Sequence, residues 1–360
     1  MTLTEPRPTA WQTRRTHAVV EWYLRHHHRS TLNPGFPGMY ADRARVGHLA
    51  VSVESLRHGD AGALYRALVA TVMFQAMRDV FVQRILRRLS FDVAEELASP
   101  GRLLALARNT PCDRLANGDA LMRCSLAKDP TTKAGTCSTH PDLACYLKRH
   151  TELLGRYGHF GRFPTSLALR LREAEVGDLP GLYTAATTGR SRLEAARWLR
   201  TQLQRAWRVS DKISAMYLSL VSNPDVLPGA PWSGGLDWRE FVVIDTNVDG
   251  FLRLIGYEGP WTYRAREGMV RALAHRVRLD ELDGTLQRNN PRIVQQAMFM
   301  FMSRSNRRDS PLDCSHVGTD ECSRCPSVLR EACPVRRSGS IYGGPLGRGG
   351  HLPDSGRAPG

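Results

Sequence analysis

Lysine is nearly missing from this chain. Of its 50 lysine and arginine residues only four are lysine: Lys128, Lys133, Lys148 and Lys212. Wherever a fixed positive charge is enough, the chain uses arginine. A surviving lysine then marks a place where arginine cannot serve, since only lysine can lose its proton and form a Schiff base. Three of the four fall in one cysteine-bearing segment, and Lys212 stands alone. Long apolar runs are missing too, and none approaches the length that crosses a bilayer. Met1 to Arg14 is too polar for a secretory signal. These absences predict a soluble, cytoplasmic chain with no membrane partner, whose thiols stay reduced. Strand signals are scarce as well, and no repeat of solenoid type is present, so the expected class is all-α.

Acidic residues number only 35, which leaves a formal charge of +15 and points to a polyanionic partner, most simply nucleic acid. A hydrophobic content of 42% supports a real core, and 360 residues suit two domains or one domain with an insertion. The sharpest motif is a C-x7-C-x2-C-x7-C run at Cys314, Cys322, Cys325 and Cys333. Its central C-x2-C pinches two thiolates onto one corner of a metal, and Pro326 and Pro334 stiffen the chain leaving two of the ligands. Four such thiolates suit a tetrahedral zinc or a [4Fe-4S] cluster.

Helical periodicity dominates elsewhere. It predicts helices over 17–28, 63–89 (one bent helix or a pair), 91–108, 165–175, 192–207, 211–222, 245–255, 263–277 and 291–303. Residues 112–150 break the pattern with Cys, Pro, Gly and Asp, and Asn223 to Asp237 reads as a loop. Beyond Arg337 the composition is that of a disordered tail. The expected organisation is an N-terminal segment 1–60 packing with the C-terminal lobe, a bundle 61–235 with an insertion 109–150, a lobe 236–336, and the tail 337–360.

The order of a helical bundle, a lysine, Asp-Thr-Asn-Val and a four-cysteine loop resembles the helix-hairpin-helix DNA glycosylases of the endonuclease III type. Leu64 to Gln75 resembles the family's early helix, whose glutamine reaches into opened duplex. Lys212, in Val209-Ser210-Asp211-Lys212-Ile213-Ser214-Ala215, sits where bifunctional members carry their Schiff-base lysine, and Ile244-Asp245-Thr246-Asn247-Val248 matches the catalytic aspartate motif. The resemblance covers most of residues 60–335. It implies a two-lobed fold with a C-terminal [4Fe-4S] loop, and catalytic roles for Lys212 and Asp245. DNA contacts would come from Gln75, Arg208, Ser210, Arg324, Arg330 and Arg336, with Arg337 beside them. The implied activity is base excision on double-stranded DNA bearing a damaged or mismatched base, with AP lyase action, by a monomer that is nucleoid-associated if bacterial.

Two departures stand out. The family's hairpin is normally Gly-Val-Gly, and here the residues are Arg208, Val209 and Ser210. The 33 positions between Lys212 and Asp245 exceed the family interval because of the loop after Ser222. A second cysteine set, Cys112, Cys124, Cys137 and Cys145, lies in the insertion with His140 and His150 nearby, at spacings that lack a C-x2-C pinch. A structural zinc or a second cluster would let that insertion fold without its own core. Two other readings compete with the enzyme: a non-catalytic iron-sulfur DNA-binding protein on this scaffold, and a zinc-stapled helical interaction module.

Overall fold

The structure is a computed structural model, and it describes residues 6–28, 35–75, 79–150, 161–303, 322 and 325–335. Helices account for most of it. Their starts are written locally by residues whose side chains satisfy the first unpaired N–H groups. Thr9 with Gln12, and Ser191 with Glu194, form reciprocal capping boxes. Ser90, Asp178, Thr262 and Asn290 cap singly. The helices Asp211–Ser222 and Tyr263–Val277 fall where periodicity predicts them. The stretch 63–89 is a pair, Ala61–Met73 and Asp79–Leu86. The stretch 91–108 also divides, because Ser99 caps a new helix that opens on Pro100.

One small sheet departs from the all-α expectation. In the insertion β1 (Leu126–Lys128) pairs antiparallel with β2 (Gly135–Cys137), Leu126 opposite Cys137. Among the described residues no helix is long and apolar enough to cross a membrane.

Apolar residues collect into two cores. The first runs from Tyr40, Leu49 and Leu56 through the Ala61–Met73 and Asp211–Ser222 helices to Trp238. The second joins Val19, Val20, Trp22 and Tyr23 to Val248, Phe251, Leu273, Val294 and Phe301. The N-terminal helix Ala10–His26 thus packs with the C-terminal elements. Tyr40, Val46, Leu49, Val51 and Leu56 do not follow it and are buried in the first core instead.

Between the cores the chain is extended, and its side chains alternate. Phe241 and Val243 enter the first core, while Val242 and Ile244 enter the second. Alternation is what a period of two imposes on an extended segment, so four residues serve both cores. Burying each such side chain stabilises by roughly 1.5–3 kcal/mol. This joint ends at Asp245. A second tie is polar: Asn223 and Asn290 exchange amide hydrogen bonds of 3.0 and 2.9 Å, and Asn290 also donates to Asp225 at 2.7 Å.

Candidate active site

The hairpin comes first. Between the helices Arg192–Gln204 and Asp211–Ser222 the chain turns tightly, the Val209 N–H donating to the Ala206 carbonyl at 3.2 Å. Arg208 takes the left-handed conformation, φ +67°, that glycine adopts freely and that costs other residues roughly 1–2 kcal/mol. The turn thus keeps a glycine-type backbone without the glycine. Its surroundings hold it there. The Trp207 N–H donates to Ser166 Oγ at 3.0 Å, Arg170 Nε to the Arg205 carbonyl at 3.2 Å, and Val209 is buried. Gln75 donates to the Arg208 carbonyl at 3.0 Å and to the Val72 carbonyl at 2.8 Å, so its amide braces the turn. The exposed Arg208 guanidinium lies 5.1 Å from the Trp207 ring centroid.

Ser210 caps the helix that follows, and Lys212 sits half-buried in its first turn. Asp245 caps the helix Thr246–Leu254. The Tyr263 hydroxyl clamps the approach to Asp245: it donates to the Val242 carbonyl at 3.1 Å and accepts from the Ile244 N–H at 3.0 Å. Asp245 Oδ1 accepts from the Asn247 and Val248 N–H groups at 3.0 and 2.9 Å. Both bonds go to one oxygen, so Oδ2 takes no part in the cap. Burial pushes the Asp245 carboxyl up; the Val248 N–H, the Lys212 charge, the Asn247 N–H and the Arg292 charge pull it back. Residues 33 positions apart are therefore within electrostatic reach of each other.

No family model matches this chain, and no curated protein or solved structure matches it. The site must be read from its own geometry.

Two charged groups around it carry no signal in the sequence. Arg292 is buried, donates to Ser219 Oγ at 3.2 Å and to Gln296 at 2.9 Å, and faces Tyr23, Asp245, Tyr40 and Tyr263. Burial pulls its guanidinium down to about 10, and those neighbours oppose the shift. Glu267, also buried, pairs with Arg200 at 3.0 Å, and Arg200 reaches Asp211, beside Lys212, at 2.9 Å. Burial pushes the Glu267 carboxyl up to about 7, against the pull of Arg200. Sequence showed these as one arginine among 46 and one glutamate on a polar helix, which is no signal at all.

In the C-terminal loop, Cys322, Cys325 and Cys333 are each half-buried. Cys325 and Cys333 flank the short helix Ser327–Ala332, whose Leu329 and Ala332 enter the second core beside Cys325 and Val328. Arg15 of the N-terminal helix lies 3.6 Å from Glu331 on it. Soft thiolate donors at the edge of an apolar core suit an iron-sulfur cluster, so the residues present fit that group. Arg330 is on this helix and half-buried. Cys314, Arg324, Arg336 and Arg337 lie outside the described residues. In the insertion, Cys112, Cys124, Cys137 and Cys145 all line one cavity.

Proposed function

We propose that this chain is a DNA glycosylase with AP lyase activity, in a two-lobed helix-hairpin-helix arrangement. What supports the reading most is that Lys212 and Asp245, each at a helix start and Asp245 at the end of the joint between the two cores, lie within electrostatic reach of each other. It brings together an amine that can form an imine and a desolvated carboxylate with one oxygen outside its cap. The scarcity of lysine adds weight, because a plain charge at 212 would be arginine here.

The chemistry follows from those two groups. A base turned out of the stack exposes its sugar C1′. As the C1′–N bond breaks, the base leaves with the electron pair and positive charge grows on the sugar, which the Asp245 carboxylate stabilises. Asp245 Oδ2 also takes the proton that Lys212 must shed before its amine attacks C1′. The sugar ring opens to an imine, loss of a C2′ proton follows, and the 3′ phosphate departs with the C3′–O electrons. Arg208 supplies a phosphate contact through its side chain, where a glycine hairpin would use backbone N–H groups. Gln75, with its amide donating to the Arg208 carbonyl of the hairpin, acts first as a brace for that turn. Cys314, Cys322, Cys325 and Cys333 would hold a [4Fe-4S] cluster, which supplies a cross-link in the loop. Arg324, Arg330 and Arg336 would then meet the DNA backbone.

Borohydride trapping on duplex DNA with an abasic site tests this. The wild-type chain should give a covalent adduct that Lys212→Ala loses while still binding DNA. DNA binding without any adduct in the wild type would remove the lyase step and favour the non-catalytic DNA-binding reading.

A further inference from the structure

The insertion brings together four cysteines that its spacing leaves scattered. Cys112 follows the helix Pro100–Asn109, Cys124 follows Gly118–Met122, Cys137 ends β2, and Cys145 precedes Tyr146–His150. All four line a single cavity whose wall includes Leu126 and Leu147. Backbone amides already point at three of the sulfurs. Cys124 accepts from the Leu126 N–H, Cys145 from those of Leu147 and Lys148, and Cys137 from those of His140 and Thr139. Ser125 Oγ lies 3.2 Å from the Cys137 sulfur. Amides that curl back from two or three residues onward are placed to donate to a metal-bound sulfur. The loop from Cys137 to Cys145 is also held in shape: Lys148 Nζ donates to the carbonyls of His140, Pro141 and Leu143 at 3.2, 2.7 and 2.7 Å.

We propose that Cys112, Cys124, Cys137 and Cys145 ligate an iron-sulfur cluster of their own, distinct from the C-terminal loop. Spacing of the donors favours a cluster over a single ion. Four thiolates on one zinc, each at about 2.3 Å, stand about 3.8 Å from one another. Among the described residues, the three donors that meet within 4.8 Å are Cys112, Asp113 and His140, not three cysteines. A cluster binds each thiolate to a different iron and so spreads them further apart. Asp113 and His140 pair with each other at 3.1 Å on the rim. The role is structural: the cluster cross-links two helix ends, a hairpin and a loop in a segment whose apolar residues lean on the first core.

Metal and sulfide analysis of the full chain, purified anaerobically, tests this independently of any activity. With both cysteine sets loaded, the wild type should carry about eight iron and about eight acid-labile sulfide per chain. Cys145→Ser and Cys322→Ser should each retain about half. About four iron per chain, unchanged by Cys145→Ser and lost in Cys322→Ser, would overturn the proposal. One zinc per chain that disappears in His140→Ala would overturn it as well. About four iron lost in Cys145→Ser but kept in Cys322→Ser would support it and count against the C-terminal cluster alone. The wild-type stoichiometry needs no variant, so a misfolded mutant leaves the proposal open to refutation.

Discussion

Two helix starts come within electrostatic reach of each other at the joint, and they are capped in contrasting ways. The helix carrying Lys212 begins at Ser210, an exposed, neutral hydroxyl. The helix beyond the joint begins at Asp245, a carboxylate whose surroundings disfavour its charge. Both satisfy orphan N–H groups, and a serine would do so at 245 without burying an anion. A cap needs an acceptor; it does not need a desolvated negative charge. The contrast says that Asp245 costs the fold something that Ser210 does not, and such a cost is expected where charge is used.

Separating cap from charge at 245 should have the largest effect. Asparagine caps as well as aspartate, so Asp245→Asn should keep the melting temperature or raise it. Base excision in single turnover should fall by about 10²–10⁴-fold. Unfolding of the variant accompanied by loss of activity would make Asp245 a cap and no more. The sign with pH follows from the raised carboxyl. Its favourable contribution is present while it is protonated and is lost as pH rises through its folded pKa, so Asp245→Asn gains on the wild type across that rise. Activity, which needs the carboxylate, should then fail on the acid side at a pH above the ordinary aspartate value of about 3.9.

The buried acid behind the Ser210 side sharpens the comparison next. Glu267 is pushed from 4.5 to about 7, so its contribution is full below 4.5 and is lost as pH rises to about 7. Denaturant unfolding across that window should show wild-type stability falling, relative to Glu267→Gln, by on the order of 3 kcal/mol. A constant difference would mean Glu267 titrates normally. Ser210→Ala should cost only about 1 kcal/mol, the worth of the cap its hydroxyl makes. Smallest of all, Arg208→Gly should stabilise by about 1 kcal/mol through relief of the left-handed backbone. It should also lower the slope of log affinity against log salt by about one, a change read by DNA titration at several salt concentrations.

The hairpin shows how far sequence reading reaches. Arg208 stands where the resembled hairpin has glycine, and its backbone is nonetheless of the left-handed type that glycine favours. Side chains from two other segments, Ser166 and Arg170 on one helix and Gln75 after another, hold it, and none is near it in sequence. Within the long interval between Lys212 and Asp245, the loop after Ser222 is anchored by Asn223 and Asp225 to Asn290. The insertion went the other way: its spacing carried a weak signal, and its cysteines nevertheless share one cavity.

Sequence by itself determined the helical class, the capping residues and the identity of the scarce lysine. Caps and amphipathic periods act over four or five residues, so they are legible without any fold. Tertiary structure alone decided which distant groups meet. Lys212 and Asp245, Arg292 among its tyrosines, and the four insertion cysteines are brought together by two cores and the extended joint between them. Burial decided the rest: the same carboxyl at 245 and at 267 is ordinary in the sequence and shifts only once packing has taken its water away.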